Sequence, residues 1–277
     1  PAADGAGRVS MQKSFFSARI YGHLIKMSLR SMMQYRADFW TSLAGVLALN
    51  GANIAQMSIV SWRFGTVGNW TAGDLMMLYG LYMVSVSLYS IFFGRIALLE
   101  SEIIHGTFDK YLVRPVNVFV QFVGGEIRYV GLSDTLLGIG LIVLGKAFTG
   151  IAWGPLDYLM LPVFVACGGC IIVCIRLMLA CAAFWVVKAR ALQSMIMQVM
   201  LLTQKYPVFI FGDVFKAFVT GVIPIAFMNY YPAIYLLRKG DAPIWLCLLS
   251  PAVALLFVAL ATQAWKRGIA RYSSAGG

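Results

Sequence analysis

The sequence predicts an all-α polytopic membrane protein with six transmembrane helices, an N-terminal amphipathic interfacial helix and a re-entrant helical hairpin before the last span. Three observations carry that expectation. Of the 277 residues, 60% are hydrophobic and only 12% charged, against about 25% charged in a soluble domain; the mean hydropathy is +0.80. The apolar residues collect in runs of about 20 or more, the length that crosses a bilayer. The basic residues, 22 against 11 acidic, gather between those runs, as they do in the cytoplasmic loops of membrane proteins. Topology therefore accounts for the positive charge, and no nucleic-acid partner is expected.

Taken in order, residues 1–13 are small and polar (PAADGAGRVS and the next three) and read as a flexible tail without a secretory signal peptide. In residues 14–36, Phe16, Ile20, Leu24 and Met27 form one helical stripe beside a basic one of Arg19, His23, Lys26 and Arg30. Such a helix lies among lipid headgroups with its cations snorkelling; a helix packed on another protein fits the pattern equally. Spans follow at 39–62, 75–99, 125–148, 156–187, 191–212 and 244–265. At 1.5 Å per residue the first reaches about 36 Å, more than a hydrocarbon core of about 30 Å.

Residues 213–237 interrupt the series. Pro224, Pro232 and the Asn229-Tyr230-Tyr231 run oppose a regular helix, and the cleanest apolar part, 217–228, is too short to span. A re-entrant or interfacial hairpin is tolerable where protein or a wet cavity satisfies its backbone. Charge sets the parity. Six spans with both termini inside place Arg8 to Arg36, Arg95 to Arg128, Lys188, Arg190 and the basic tail 266–277 in the cytoplasm. Arg63, Lys146, Lys205, Lys216, Arg238 and Lys239 fall outside. A seventh span would export Lys266, Arg267 and Arg271 against the positive-inside bias.

Catalytic chemistry is hard to find. Gly140 to Ala147 nearly matches the phosphate-binding loop G-x-x-x-x-G-K-[ST], but Ala147 lacks the hydroxyl that would hold magnesium, and the glycines sit in an apolar span. Cys167-Gly168-Gly169-Cys170 matches C-x-x-C; with Cys174 and Cys181 it recurs on one helical face, where cysteines act as small apolar residues. His23 and His105 have no metal-ligand company. The chain is expected to be no enzyme and to bind no cofactor or metal.

The informative piece lies between spans two and three, from Glu100 to Pro115. It is short, charged and expected to be cytoplasmic, with a brief helix over 102–110 that Pro115 ends. Arg114 offers a planar donor fork beside that proline. The run Ile103-x-x-Gly106-x-x-Asp109-x-x-Leu112-x-Arg114-Pro115-Val116-Asn117 resembles the signature loop of ABC-2 type permeases. Phe184-Trp185, Tyr206-Pro207, Val222-Ile223-Pro224 and Tyr230-Tyr231-Pro232-Ala233 add to the likeness, which runs from about Arg30 to the C-terminus. Thr107 departs from the pattern, since relatives often carry an acid there.

The resemblance implies the membrane subunit of an ABC exporter. Its coupling helix, with Glu102, Ile103, Gly106, Asp109, Leu112, Arg114 and Pro115, would dock on a separate ATPase subunit. Two permeases, identical or related, would work with two ATPases, which hold the ATP and magnesium. The implied setting is a prokaryotic plasma membrane, and the cargo a hydrophobic or amphipathic substrate. Read from the residues, a substrate path draws on Tyr79, Tyr82 and Tyr89 at helical spacing in span two, Asn50 and Asn53 in span one, and Met195 and Gln198 in span five. Ordinary helix packing explains the same stripes. Asp134 and Arg176 are expected to form an intramembrane ion pair, because isolated charges at depth are costly. The alternative to a permease is an ATP-independent secondary carrier or a membrane-embedded enzyme.

Overall fold

The computed structural model describes residues 36–124, 130–186 and 190–272. The expected tail 1–13, the interfacial helix up to residue 35 and the last five residues lie outside the described residues. The first helix, α1 (Arg36–Phe64), leads through a turn closed by a Val67–Trp70 bridge into α2 (Ala72–Phe93). Thr71 starts α2 with a reciprocal cap. Its hydroxyl accepts from the Asp74 amide at 3.4 Å, while its own amide donates to the Asp74 carboxylate at 2.7 Å. Two N–H groups at the helix start are thereby satisfied.

A tighter 3₁₀ turn (Gly94–Leu98) carries α2 into α3 (Leu99–Ile104), followed by α4 (Asp109–Leu112), α5 (Val118–Gly124), α6 (Val130–Thr149) and α7 (Pro155–Cys181). Then come α8 (Arg190–Thr203), α9 (Asp213–Ala217), α10 (Tyr230–Leu236), α11 (Ile244–Cys247) and α12 (Ser250–Arg271). No β-strand forms among the described residues. Four helical stretches are long and apolar enough to cross a membrane: Ala72–Ile104, Gly131–Thr149, Pro155–Phe184 and Ser250–Arg271. The pair Asp213–Val222 and Ile225–Leu236, bent by 79°, makes a fifth if it is one broken span.

Among the described residues that is fewer than the six spans expected. α1 has 29 residues and carries Asn50, Asn53 and Gln56 within its apolar run. α8 stops at Thr203 after 14 residues, about 21 Å, because Pro207 has no N–H to give and pushes Tyr206 out of helical geometry. Residues 191–212 are thus not one helix. The expected break in 213–237 falls at Ile223, which is extended (φ −123°, ψ 94°) ahead of Pro224, as a residue before proline prefers. Pro232 does not break anything. It sits in the first turn of α10, where its missing N–H would have no partner anyway.

The last span is displaced from its expected place at 244–265. α11 is a separate short turn, and α12 begins at Ser250 with Pro251 in its first turn and continues to Arg271. Lys266, Arg267 and Arg271 therefore belong to the end of the helix, not to a detached tail.

What holds the bundle is a seam of small residues. Gly73, Gly80 and Ser87 recur every seven residues on α2, and Gly131, Gly138 and Gly145 do the same on α6. The helices run antiparallel, so Gly73 meets Gly145, Gly80 meets Gly138 and Ser87 meets Gly131. A Cβ on Gly80 would stand 2.8 Å from the Gly138 carbonyl oxygen, and one on Gly145 2.8 Å from that of Gly73. A seven-residue period keeps such a seam facing its partner as two helices wind around each other. In lipid, where no hydrophobic force drives helices together, this close approach supplies the packing. Thr135 seals one end by donating to Ser87 Oγ at 2.7 Å. Gly145 of the near P-loop run is spent on this contact.

The Cys-Gly-Gly-Cys run is likewise a packing surface. A Cβ on Gly168 would lie 2.6 Å from Ser85 Oγ of α2 and 2.9 Å from the Met228 carbonyl. The cysteines around it are free thiols. α12 packs along α7, with Gly268 directly beneath the Phe184 ring.

Candidate functional site

The loop between α2 and α6 does not form one helix over 102–110. Gly106, at φ +67°, adopts a left-handed conformation that costs a side-chain-bearing residue about 1–2 kcal/mol, and it separates α3 from α4. Both short helices are tied down by charge. Arg95, in the 3₁₀ turn, donates to Glu102 at 3.0 Å and to the Tyr111 hydroxyl at 2.7 Å, while Lys110 lies 3.6 Å from the same carboxylate. Burial pushes the Tyr111 phenol up and Arg95 pulls it partly back.

Below this knot Phe108 is fully buried. Its ring centre lies 5.7 Å from Tyr111, 6.1 Å from Phe122, 5.8 Å from Phe184, 6.2 Å from Trp265 and 5.3 Å from Tyr272. These edge-on packings add to the area they bury. They join the loop to α5, to the end of α7 and to the end of α12. Tyr272 adds a strap, donating to Asp109 at 2.8 Å. Burial first, and then the Asp109 carboxylate, push that phenol up to about 12, so it stays protonated and remains the donor.

The seven residues expected to couple therefore divide. Glu102 and Asp109 turn inward as struts, Ile103 is half-buried against the core, and Gly106 sets the turn. Leu112, Arg114 and Pro115 face outward with Ile104, His105 and Val113, the last 82% exposed. The result is an exposed knob on a rigid aromatic socket. Arg95, Phe108 and Tyr272 were not singled out from the sequence. Phe108, the one phenylalanine in a charged loop, was the available signal.

The residues proposed to line a path also divide. Tyr79 donates to Asn50 Oδ1 at 2.6 Å and accepts from Asn53 at 3.1 Å, and Asn50 in turn reaches Asp134 at 3.5 Å. α1, α2 and α6 are joined by this polar chain. Tyr79 stacks on Tyr82 at 6.5 Å, and both, like Tyr89, are buried. Met195 and Gln198 are instead exposed on α8. Asp134 and Arg176 do not pair within the described contacts. Arg176 lies 4.9 Å over the Tyr89 ring, and Tyr82 is within electrostatic reach of both charges. Asparagine and aromatic partners take the place of the expected ion pair.

At the opposite end of the bundle lies a constellation that sequence reading missed. Arg238 donates to Asp157 at 2.6 Å and Lys239 to Asp74 at 2.7 Å. Both acids are buried helix-start residues, Asp74 capping α2 and Asp157 accepting from the Gly154 amide at 2.9 Å ahead of α7. Asp241 completes the turn by accepting from Trp70 Nε1 at 2.7 Å and Asn69 at 3.0 Å. One turn after α10 thus latches two helix ends. Lys239→Met is expected to destabilise the protein by about 3 kcal/mol, because it strands a buried carboxylate. Arg238→Met strands an equally buried carboxylate, but water can enter the half-exposed place of that guanidinium, so the loss should be smaller, about 1 kcal/mol. Denaturation of the purified variants measures both, and equal losses would contradict the ranking.

The family model described as "ABC-2 family transporter protein" matches residues 47–276. No curated protein and no solved structure matches the chain. With nearly all of its described length covered by that one family, this multi-pass membrane protein belongs to the ABC-2 family of transporter permeases.

Proposed function

We propose that the chain is the permease subunit of an ATP-binding cassette exporter, moving a hydrophobic or amphipathic substrate outward across a prokaryotic plasma membrane. The observation that supports this best is the knob of Leu112 to Pro115. An apolar and cationic tip stands proud of the bundle, while Phe108 beneath it touches the ends of α5, α7 and α12. A push on the tip moves three helices together instead of bending a loop. Such rigid-body movement converts a partner's ATP cycle into a shift between inward- and outward-facing populations.

In this reading the chain performs no chemistry and holds no nucleotide. ATP and magnesium belong to two ATPase subunits, and a second permease, identical or related, completes the pathway. The polar chain Asn50–Tyr79–Asn53, with Tyr82 and Tyr89 below it, is the part suited to amphipathic cargo. Six crossings with both ends cytoplasmic remain the preferred topology. Two contacts support a crossing by 191–212 despite its broken helix: Gln193 donates to Glu100 at the loop end, at 3.1 Å, and Phe209 packs against Gly68 near the latch. The loop end also carries Arg95, Lys110, Arg114, Lys266, Arg267 and Arg271, as a cytoplasmic face should.

Affinity purification of the chain from its native membrane tests the proposal. An ATPase subunit in stoichiometric amount is the expected companion. Recovery of the chain alone, from a membrane that still exports, would count against it.

A further inference from the structure

Beside the aromatic socket lies a groove of about 600 Å³ between α5 and the last turns of α12. Val118, Phe119, Leu177, Trp265 and Ile269 make its walls, and Lys266 stands at its rim. The volume is that of a site for a small molecule. Lys266 is exposed and has no ion-pair partner among the described residues. Arg267 and Arg271 follow it on the same exposed helix end.

We infer that this groove binds an anionic phospholipid, its acyl chain lying against the apolar walls and its phosphate meeting Lys266. Charge and shape argue for that occupant together. A purely apolar partner leaves the lysine unanswered, and a free anion leaves the walls bare. The depth fits as well, because Lys266 lies in the last two turns of the bilayer-crossing stretch Ser250–Arg271. Basic pockets at that level collect acidic headgroups from the inner leaflet, and a lysine stem lies along apolar surface while its ammonium reaches the interface. Trp265 walls the groove and also belongs to the Phe108 socket, with Phe119 5.3 Å and Phe108 6.2 Å from its ring. A bound lipid therefore braces the seat of the exposed knob.

The test needs no ATP, so its outcome is separate from that of the transport proposal. The full chain, with whatever subunits it retains, is reconstituted in bilayers of equal phosphatidylglycerol and phosphatidylcholine, then released for native mass spectrometry. One phosphatidylglycerol per chain is expected to survive, at least tenfold over phosphatidylcholine. Lys266→Glu should lower that retention at least tenfold and Lys266→Arg should preserve it. Thr262→Trp, which fills the groove without touching charge, should expel the lipid. Arg63→Glu, an exposed cation on α1, should change nothing. Equal retention of the two lipids, unchanged retention in both Lys266→Glu and Thr262→Trp, or a second protein chain in the groove in place of lipid would each overturn the inference.

Discussion

Replacing Gly138 by leucine is expected to leave little or no assembled protein in the membrane. A Cβ there already lies 2.6 Å from Val84 Cγ2 and 3.0 Å from the Gly80 carbonyl oxygen, so a full leucine forces α2 and α6 apart. Overpacking a dense core costs about 1–3 kcal/mol and occasionally more. The nearest obstacle, Val84, is a β-branched side chain with little rotamer freedom, and behind it stands the Gly80 backbone, so neither yields easily; separation also weakens the close contacts at Gly73–Gly145 and Ser87–Gly131. A loss of about 4 kcal/mol or more is a large share of a stability of about 5–15 kcal/mol. Gly140→Leu is the control. It lies two residues along the same helix, with nothing within 4 Å of its Cβ position, and should assemble almost normally. Detergent-extracted yield and size-exclusion profile of the two variants decide the matter; similar collapse of both would dissolve the seam argument.

The second large effect is expected at the tip of the knob. Val113→Asp with Arg114→Glu should cut ATP-dependent transport at least tenfold while leaving the permease folded and in the membrane. Both side chains are exposed and neither contributes to the socket, so the fold loses nothing. The exposed face, however, changes from apolar and cationic to acidic, and like charges placed across an interface suppress binding. Co-purification of the ATPase should fall in parallel with transport. Gly106→Val differs in kind. It strains the left-handed turn between α3 and α4, so it should reduce transport with weaker loss of ATPase binding. Full transport by the Val113→Asp, Arg114→Glu variant would mean that the knob is not where the partner engages.

Membrane character, helical class and the location of the loop were legible in the sequence because they follow from composition and from local runs. The Pro224 break was legible for the same reason: proline acts on its immediate neighbours. What escaped depended on pairs distant in sequence. Gly73, Gly80 and Ser87 and their partners Gly131, Gly138 and Gly145 stand in plain view at seven-residue spacing, but their meaning requires knowing that α2 and α6 face each other. Asp134 and Arg176 looked like natural partners by depth alone; Asn50 and Tyr89, which cost less desolvation to approach, hold them instead. Asp109 read as a surface acid because Tyr272, 163 positions later, was not visible as its donor. The last span was placed at 244–265, whereas its helix runs on to Arg271 and Trp265, 7% exposed, belongs to the socket.

The central claim is that this polypeptide is moved by another protein through Leu112 to Pro115. The most direct measurement is substrate uptake into inverted proteoliposomes holding the purified permease, with and without the co-purifying ATPase and ATP. Accumulation against a gradient only when ATPase and ATP are both present, and its loss in the Val113→Asp, Arg114→Glu variant, is the predicted result. Uphill accumulation by the permease alone would contradict it.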